Sequence, residues 1–270
     1  NRTEGNLGYD TAPVFSPTGN LTWLQMKRDG YEADKNDIVV SFKGTTINLT
    51  ANWDGSVESF IWSKDGKKVY FQAPVDGTLQ LFVVDFPGLT KKMPQVVQVT
   101  NGDFDVSGLV GIVGDKFFVT RSDMNHAAEL YSYDLKKKVW NQMSNVNTAT
   151  YSTLALSKTE RRYVTTTDGK KMLVWVILPP NFDASKKYPT LLYCQGGPQS
   201  PLTQFYSFRW NFQLMAANGY IVVAPNRRGM QGHGVEWNEQ ISKDWGGQVM
   251  KDYLSAIDDV AKENYVDKAR

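Results

Sequence analysis

The sequence predicts a partial β-propeller of about three four-stranded blades over residues 1–156, then the first half of an α/β domain over residues 157–270. Three observations carry this reading. A glycine turn recurs about every 47 residues, short strands flank each turn, and near residue 157 the pattern changes to strand alternating with helix. The aromatic content, with 8 Trp and 13 Tyr, suits half-buried pleated surfaces.

The repeat is visible in three places. Phe15-Ser16-Pro17-Thr18-Gly19 leads into Leu21–Met26, Trp62-Ser63-Lys64-Asp65-Gly66 leads into Lys68–Gln72, and Val113-Gly114-Asp115-Lys116 leads into Phe117–Thr120. Gly19, Gly66 and Gly114 supply the positive φ of a tight reversal. Leu79–Asp85 and Glu129–Asp134 read as third strands ending on an acid, and Val99–Asp103 reads as a polar connection between blades. Four short strands per unit, repeated radially, limit exposed sheet edges. A β-sandwich with regular spacing is the alternative. About three blades do not close a ring, so the others are expected outside these residues.

In the second half, Tyr163–Lys170 and Met172–Leu178 read as two strands, with Pro179-Pro180 stopping the second. The apolar runs Thr190–Cys194 and Tyr220–Ala224 read as strands covered on both faces. Arg209–Asn218 is expected to be helical, with Asn218-Gly219 as its stop. A longer helix is expected from Gly247 to Asn264, burying Val249, Tyr253, Ile257 and Val260.

Composition excludes several classes of function. A net charge of +2, from 30 basic and 28 acidic residues, gives no footprint for nucleic acid or an anionic membrane. No apolar run reaches the roughly 18 residues of a membrane span. The single Cys194 permits no internal disulfide, and two distant histidines with one cysteine make no metal site. The Asn-x-Thr triplets at Asn1, Asn20 and Asn48 are read as chance in polar turns.

Gln195-Gly196-Gly197-Pro198 directly follows the strand ending at Cys194. Glycines there let backbone N–H groups turn outward toward a developing oxyanion. By itself the element is also a plain strand-ending turn. Its surroundings add more: Tyr-Pro-Thr-Leu-Leu-Tyr (188–193), Phe-Arg-Trp-Asn (208–211) and Asn-Gly-Tyr-Ile-Val-Val-Ala-Pro-Asn-Arg-Arg-Gly (218–229). Gly232-His233-Gly234, Asp244-Trp245-Gly246-Gly247, Asp252 and Tyr265-Val266-Asp267 continue the series.

In these ordered segments the chain resembles serine peptidases of the prolyl oligopeptidase family, above all its dipeptidyl and acylaminoacyl peptidases. The Ser-Pro-x-Gly turns of the first half resemble the family's propeller more loosely. The resemblance implies that residues 157–270 form the N-terminal half of an α/β-hydrolase domain, with Gly197 as an oxyanion-hole donor. The family usually has His or Tyr where this chain has Gln195, whose side-chain amide would have to serve instead. The nucleophile belongs on a Gly-x-Ser-x-Gly elbow, and no such motif occurs in the sequence. The triad is therefore expected outside residues 1–270, and this stretch alone is expected to be inactive and to fold poorly.

The resemblance further implies release of N-terminal dipeptides from short peptides through an acyl-enzyme. It implies no cofactor and a bacterial periplasmic location, and it allows a homodimer. The alternatives are an acylaminoacyl peptidase or endopeptidase on the same frame, or a propeller-bearing binding protein without catalysis. Substrate-pocket candidates are Gly196, Tyr206, Phe208, Arg227, Arg228 and His233. Core packing is the other reading of the aromatic residues, and the one taken for Trp210. Ion pairs with acids such as Asp244 or Asp252 are the other reading of Arg227 and Arg228. His233 precedes the expected nucleophile in chain order, so it is read as a loop or pocket contact rather than the base, and His126 as a surface residue. Glu32, Glu58 and Glu129 are available to hold a substrate amine, and the sequence does not choose among them.

Overall fold

The computed structural model describes residues 3–90 and 92–269, so Asn1, Arg2, Lys91 and Arg270 lie outside it, and with Asn1 the asparagine of the first Asn-x-Thr triplet. Three four-stranded antiparallel meanders come first, an arrangement compatible with a propeller. The first holds β1 (Asp10–Phe15), β2 (Leu21–Gln25), β3 (Asp37–Phe42) and β4 (Thr45–Asn48). The second holds β5 (Ser59–Trp62), β6 (Lys68–Val75), β7 (Thr78–Asp85) and β8 (Val96–Gln98). The third holds β9 (Asp105–Val113), β10 (Lys116–Asp123), β11 (His126–Asp134) and β12 (Val139–Gln142).

Gly19, Gly66 and Gly114 turn the first hairpin of each sheet at positive φ. Alternation then buries one side of each strand against the neighbouring sheet. Leu24, Ile38 and Val40 of the first sheet share a core with Trp62, Phe71 and Phe82 of the second. Leu81 of the second shares another with Val106, Phe117 and Val119 of the third.

After a short helix α1 (Thr148–Tyr151) comes a fourth sheet of β13 (Lys158–Thr165), β14 (Lys171–Leu178), β15 (Thr190–Leu192) and β16 (Ile221–Pro225). Its spatial order is β13-β14-β16-β15, with β15 parallel to β16 and the other pairs antiparallel. Both faces are covered. Leu173, Trp175 and Ile177 pack against Phe212 and Ala216 of α2 (Phe212–Ala217), and Val174 and Val176 pack against Ala256 and Val260 on the other face. This explains why β14 and β16 read as continuous apolar runs. The short helix α3 (Val235–Glu239) precedes α4 (Gln248–Val260), which supplies those last two residues.

Both expected helices are shorter than their sequence patterns. Asn211 caps α2 by accepting from the Leu214 amide at 2.9 Å, which leaves Arg209 and Trp210 outside the helix. Trp210 is half exposed, so its expected core position is corrected. Beyond α4 the chain turns, and Tyr188 and Val266 form an isolated parallel bridge alongside β15.

The meanders grip the fourth sheet through polar contacts. The β6–β7 turn lies on Leu173 and Trp175, where a side chain at Gly77 would not fit. Arg161 of β13 reaches Asp76 at 2.5 Å and Asp103 at 2.6 Å, and Arg28 reaches Glu239 at 2.5 Å. Asp105, buried at the start of β9, accepts from the Leu79 amide, the Thr203 hydroxyl and the Gln204 amide.

Candidate functional site

The loop following β15 is fixed from beneath by one arginine. Arg227, just past β16, is buried and donates to the carbonyls of Gln195 at 2.9 Å and Pro198 at 2.8 Å. It also donates to the Tyr253 hydroxyl at 3.0 Å, and that hydroxyl donates to the Gln195 carbonyl at 3.1 Å. Two of the loop's carbonyls, those of Gln195 and Pro198, are thus tied inward. Gly197 is exposed, sits at φ +124°, and its N–H has no hydrogen-bond partner among the described residues. A Cβ there would lie 2.6 Å from the Ser200 hydroxyl, so only glycine fits without displacement.

Arg228 points elsewhere. Its guanidinium, also buried, pairs with both carboxylate oxygens of Asp168 at 2.8 and 2.7 Å and with Asp252 at 3.2 Å. Hydrogen bonds from Arg228 and Thr166 hold the Asp168 carboxyl at a pKa of about 2. The structure thus removes Arg227 and Arg228 from the pocket candidates. One braces the 195–198 loop and the other staples β13–β14 to α4. The reason is burial: a desolvated guanidinium takes the nearest carbonyls and carboxylates.

His233 is corrected in the same way. It follows Gly232, which packs against Pro74 and Val75 and accepts the Asp76 amide at 2.9 Å, so the imidazole lies in the seam between meander and fourth sheet. The residue as a whole is half-buried, yet its Nε2 is shut from solvent without a partner among the described residues. Burial lowers its pKa to about 4 and keeps it neutral.

The remaining candidates converge. A cavity of about 580 Å³ opens between the meanders and the loop, lined by Gln195, Thr203, Phe205, Tyr206 and Phe208 on one side. Glu58, Asp105, Ser107 and Ser122 line the other. A second space of about 420 Å³ adjoins it at Gln195 and Phe205, with Cys194, Gly196 and Trp210 on its walls. Tyr206 and Phe208 meet edge to face at 5.0 Å. The Gln195 side-chain amide has no hydrogen-bond partner among the described residues, and Gln195 lines both spaces.

Of the three available glutamates, only Glu58 lines the cavity beside Gln195. Its side chain is open to the cavity yet ringed by protein, and this partial desolvation raises its pKa. Glu129 instead accepts from Ser144 and Asn147, and Glu32 is exposed outside this cavity. Burial also raises Asp105, to about 7, against the pull of Thr203, Leu79 and Gln204. Sequence reasoning missed Asp105 and the bracing Tyr253, because each looks like an ordinary strand or core residue until distant elements meet it.

Comparison with known proteins bears on the fold and the family. The chain is 42% identical over its whole length to a dipeptidyl-peptidase 5 of Porphyromonas gingivalis, covering 39% of that protein. It is 46% identical over 99% of its length to a dipeptidyl-peptidase 5 of Porphyromonas endodontalis, covering 38% of it. The chain therefore spans about two fifths of the length of these curated relatives. Among solved structures, the acylaminoacyl peptidase of Pyrococcus horikoshii superimposes with a TM-score of 0.80 over 96% of this chain and 39% of that one, at 20% identity, which is a likeness of fold. A profile described as the prolyl oligopeptidase family matches residues 206–270, the segment that carries both site arginines and the long helix. From Thr3 to Ala269, then, the chain is similar to peptidases of the prolyl oligopeptidase family, whose profile it matches over residues 206–270.

Proposed function

We propose that the whole protein is a serine exopeptidase that releases N-terminal dipeptides from short peptides. The observation that carries this reading is the exposed amide of Gly197, unpaired among the described residues, on the loop whose Gln195 lines a cavity shared by both halves of the chain. The names of the Porphyromonas relatives, both dipeptidyl-peptidases, support the substrate class. In this reading residues 3–156 are three blades of a propeller whose ring is completed by sequence beyond them. Residues 157–269 are the first half of an α/β-hydrolase domain. A bacterial periplasmic location and a homodimer belong to the same proposal.

The chemistry assigns roles to this chain's own groups. A serine hydroxyl, supplied from outside residues 1–270, attacks the scissile carbonyl carbon and passes its proton to a base. The carbonyl oxygen becomes an oxyanion, and the Gly197 amide donates to it with the Gln195 side-chain amide alongside. Collapse breaks the C–N bond, the protonated amine leaves, and water then releases the acyl group. Glu58 takes the substrate ammonium, and Tyr206 and Phe208 flank the apolar side chain.

The test uses the whole protein and paired chromogenic substrates, dipeptidyl and N-acylated. Cleavage of the dipeptidyl substrates is expected to exceed that of N-acylated ones, with Glu58→Gln raising KM for the former about tenfold or more, as for one charged hydrogen bond. Preference for the N-acylated series, untouched by Glu58→Gln, would remove the dipeptidyl assignment.

A further inference from the structure

A third cavity, of about 460 Å³, adjoins the one at Gln195, since Ser122 and Ala127 line both. Its notable occupant is Arg121 of β10. The guanidinium lies 3.8 Å from the centre of the Phe104 ring, 5.2 Å from Tyr131 and 5.3 Å from Trp140. No hydrogen bond or ion pair reaches it from the described residues, whereas Arg28, Arg161, Arg162, Arg227 and Arg228 all hold carboxylates or carbonyls. Burial lowers its pKa, against the weaker opposing pull of Tyr131 and Asp123.

Neither neighbouring acid reaches it with a hydrogen bond or an ion pair. Asp123 accepts from His126 Nδ1 at 2.8 Å and from the amides of Asn125 and His126, and Glu129 accepts from the Ser144 hydroxyl and the Asn147 amide. Three rings fix the plane of the Arg121 guanidinium while its N–H edge remains free. Such a fork matches a carboxylate in two parallel hydrogen bonds. The two acids nearby disfavour a doubly charged anion such as phosphate and leave room for a single negative charge.

We propose that Arg121 is a specificity-determining residue that binds a carboxylate of the peptide held in the adjoining cavity. That group is either the C-terminal carboxylate of a short peptide or an Asp or Glu side chain. The inference rests on the peptidase reading above and goes beyond it, since it makes the enzyme selective for acidic or very short substrates.

The experiment takes the whole protein and one peptide in three forms: free C-terminal acid, C-terminal amide, and amide with Gln replaced by Glu. The wild-type kcat/KM is expected to favour one carboxylate form over the neutral amide by about tenfold or more, carried by KM. Preference for the free acid identifies the C-terminal group, and preference for the Glu form identifies a side chain. Arg121→Gln is expected to bring that ratio close to one, and Arg121→Lys to restore part of it. Arg121→Met, which keeps apolar cover over the rings, is read in the same way should the Gln variant misfold. Equal cleavage of all three forms by wild type, or a ratio that survives Arg121→Gln, overturns the proposal. If no form is cleaved, the peptidase reading fails, and calorimetric binding of the same peptides decides Arg121. Tighter binding of a carboxylate form by tenfold, lost in Arg121→Gln, supports it, and equal binding overturns it.

Discussion

The three meanders and the fourth sheet solve the same problem in opposite ways. In each meander a strand pairs with its neighbour in sequence, and one face is sealed by the next meander. In the fourth sheet the order β13-β14-β16-β15 brings together distant segments, and both faces are sealed by helices. Their charges follow suit. The meander pair Lys68–Asp85 stands in solvent, whereas Arg228 and Asp252 of the second half are fully enclosed. The frame is thus assembled from local contacts, and the 195–198 loop is held by long-range buried ones.

The sharpest way to break this contrast is to remove an acid from each half. Asp252→Ala leaves the buried Arg228 with the partly exposed Asp168 alone, and is expected to destabilise the protein by about 3–5 kcal/mol in urea unfolding. Asp85→Ala, in the exposed pair, is expected to cost under about 1 kcal/mol. Equal losses would mean that the two halves do not differ in this way.

A second, smaller effect lies in the seam. Asp105 has its folded pKa raised to about 7 by burial, so the folded state keeps a proton that the unfolded state releases near pH 4. Between those values stability falls as pH rises, by about 2–4 kcal/mol, and Asp105→Asn is expected to flatten that slope. Asp168 works in the opposite sense, because its folded pKa is depressed to about 2. Its contribution is full above pH 4 and is lost as pH falls toward 2. Melting temperatures from pH 2 to 8, for wild type and Asp105→Asn, check both signs. A wild-type curve that rises between pH 4 and 7 contradicts the assignment to Asp105.

The smallest effect compares two glycines of positive φ. Gly19→Ala has open space for its Cβ and is expected to cost about 1 kcal/mol from backbone strain alone. Gly197→Ala adds the clash with Ser200, for about 1–2 kcal/mol, and by shifting the amide is expected to lower kcat as well. A Gly197→Ala enzyme with unchanged kcat would remove that amide from the reaction.

What was legible in the sequence follows the same division. The turns at Gly19, Gly66 and Gly114 announced three hairpins, because tight reversal demands residues that tolerate positive φ. The outer strands β4, β8 and β12 carried no such signal: they are short, mostly exposed, and exist because a neighbouring strand offers its ladder. Helix α2 began at its Asn211 cap rather than where its apolar pattern began, and Trp210 fell outside it.

By itself, the sequence determined the meander order, the apolar strands of the covered sheet and the glycine loop after β15, since local periodicity and φ preference act within a few residues. Tertiary structure alone decided that Arg227 braces that loop and Arg228 does not, that Glu58 rather than Glu32 or Glu129 shares a cavity with Gln195, and that Arg121 is left without a hydrogen-bonded partner among the described residues. The physical reason is that a charged side chain is assigned its partner by desolvation and distance, and both are set only when remote segments close over it.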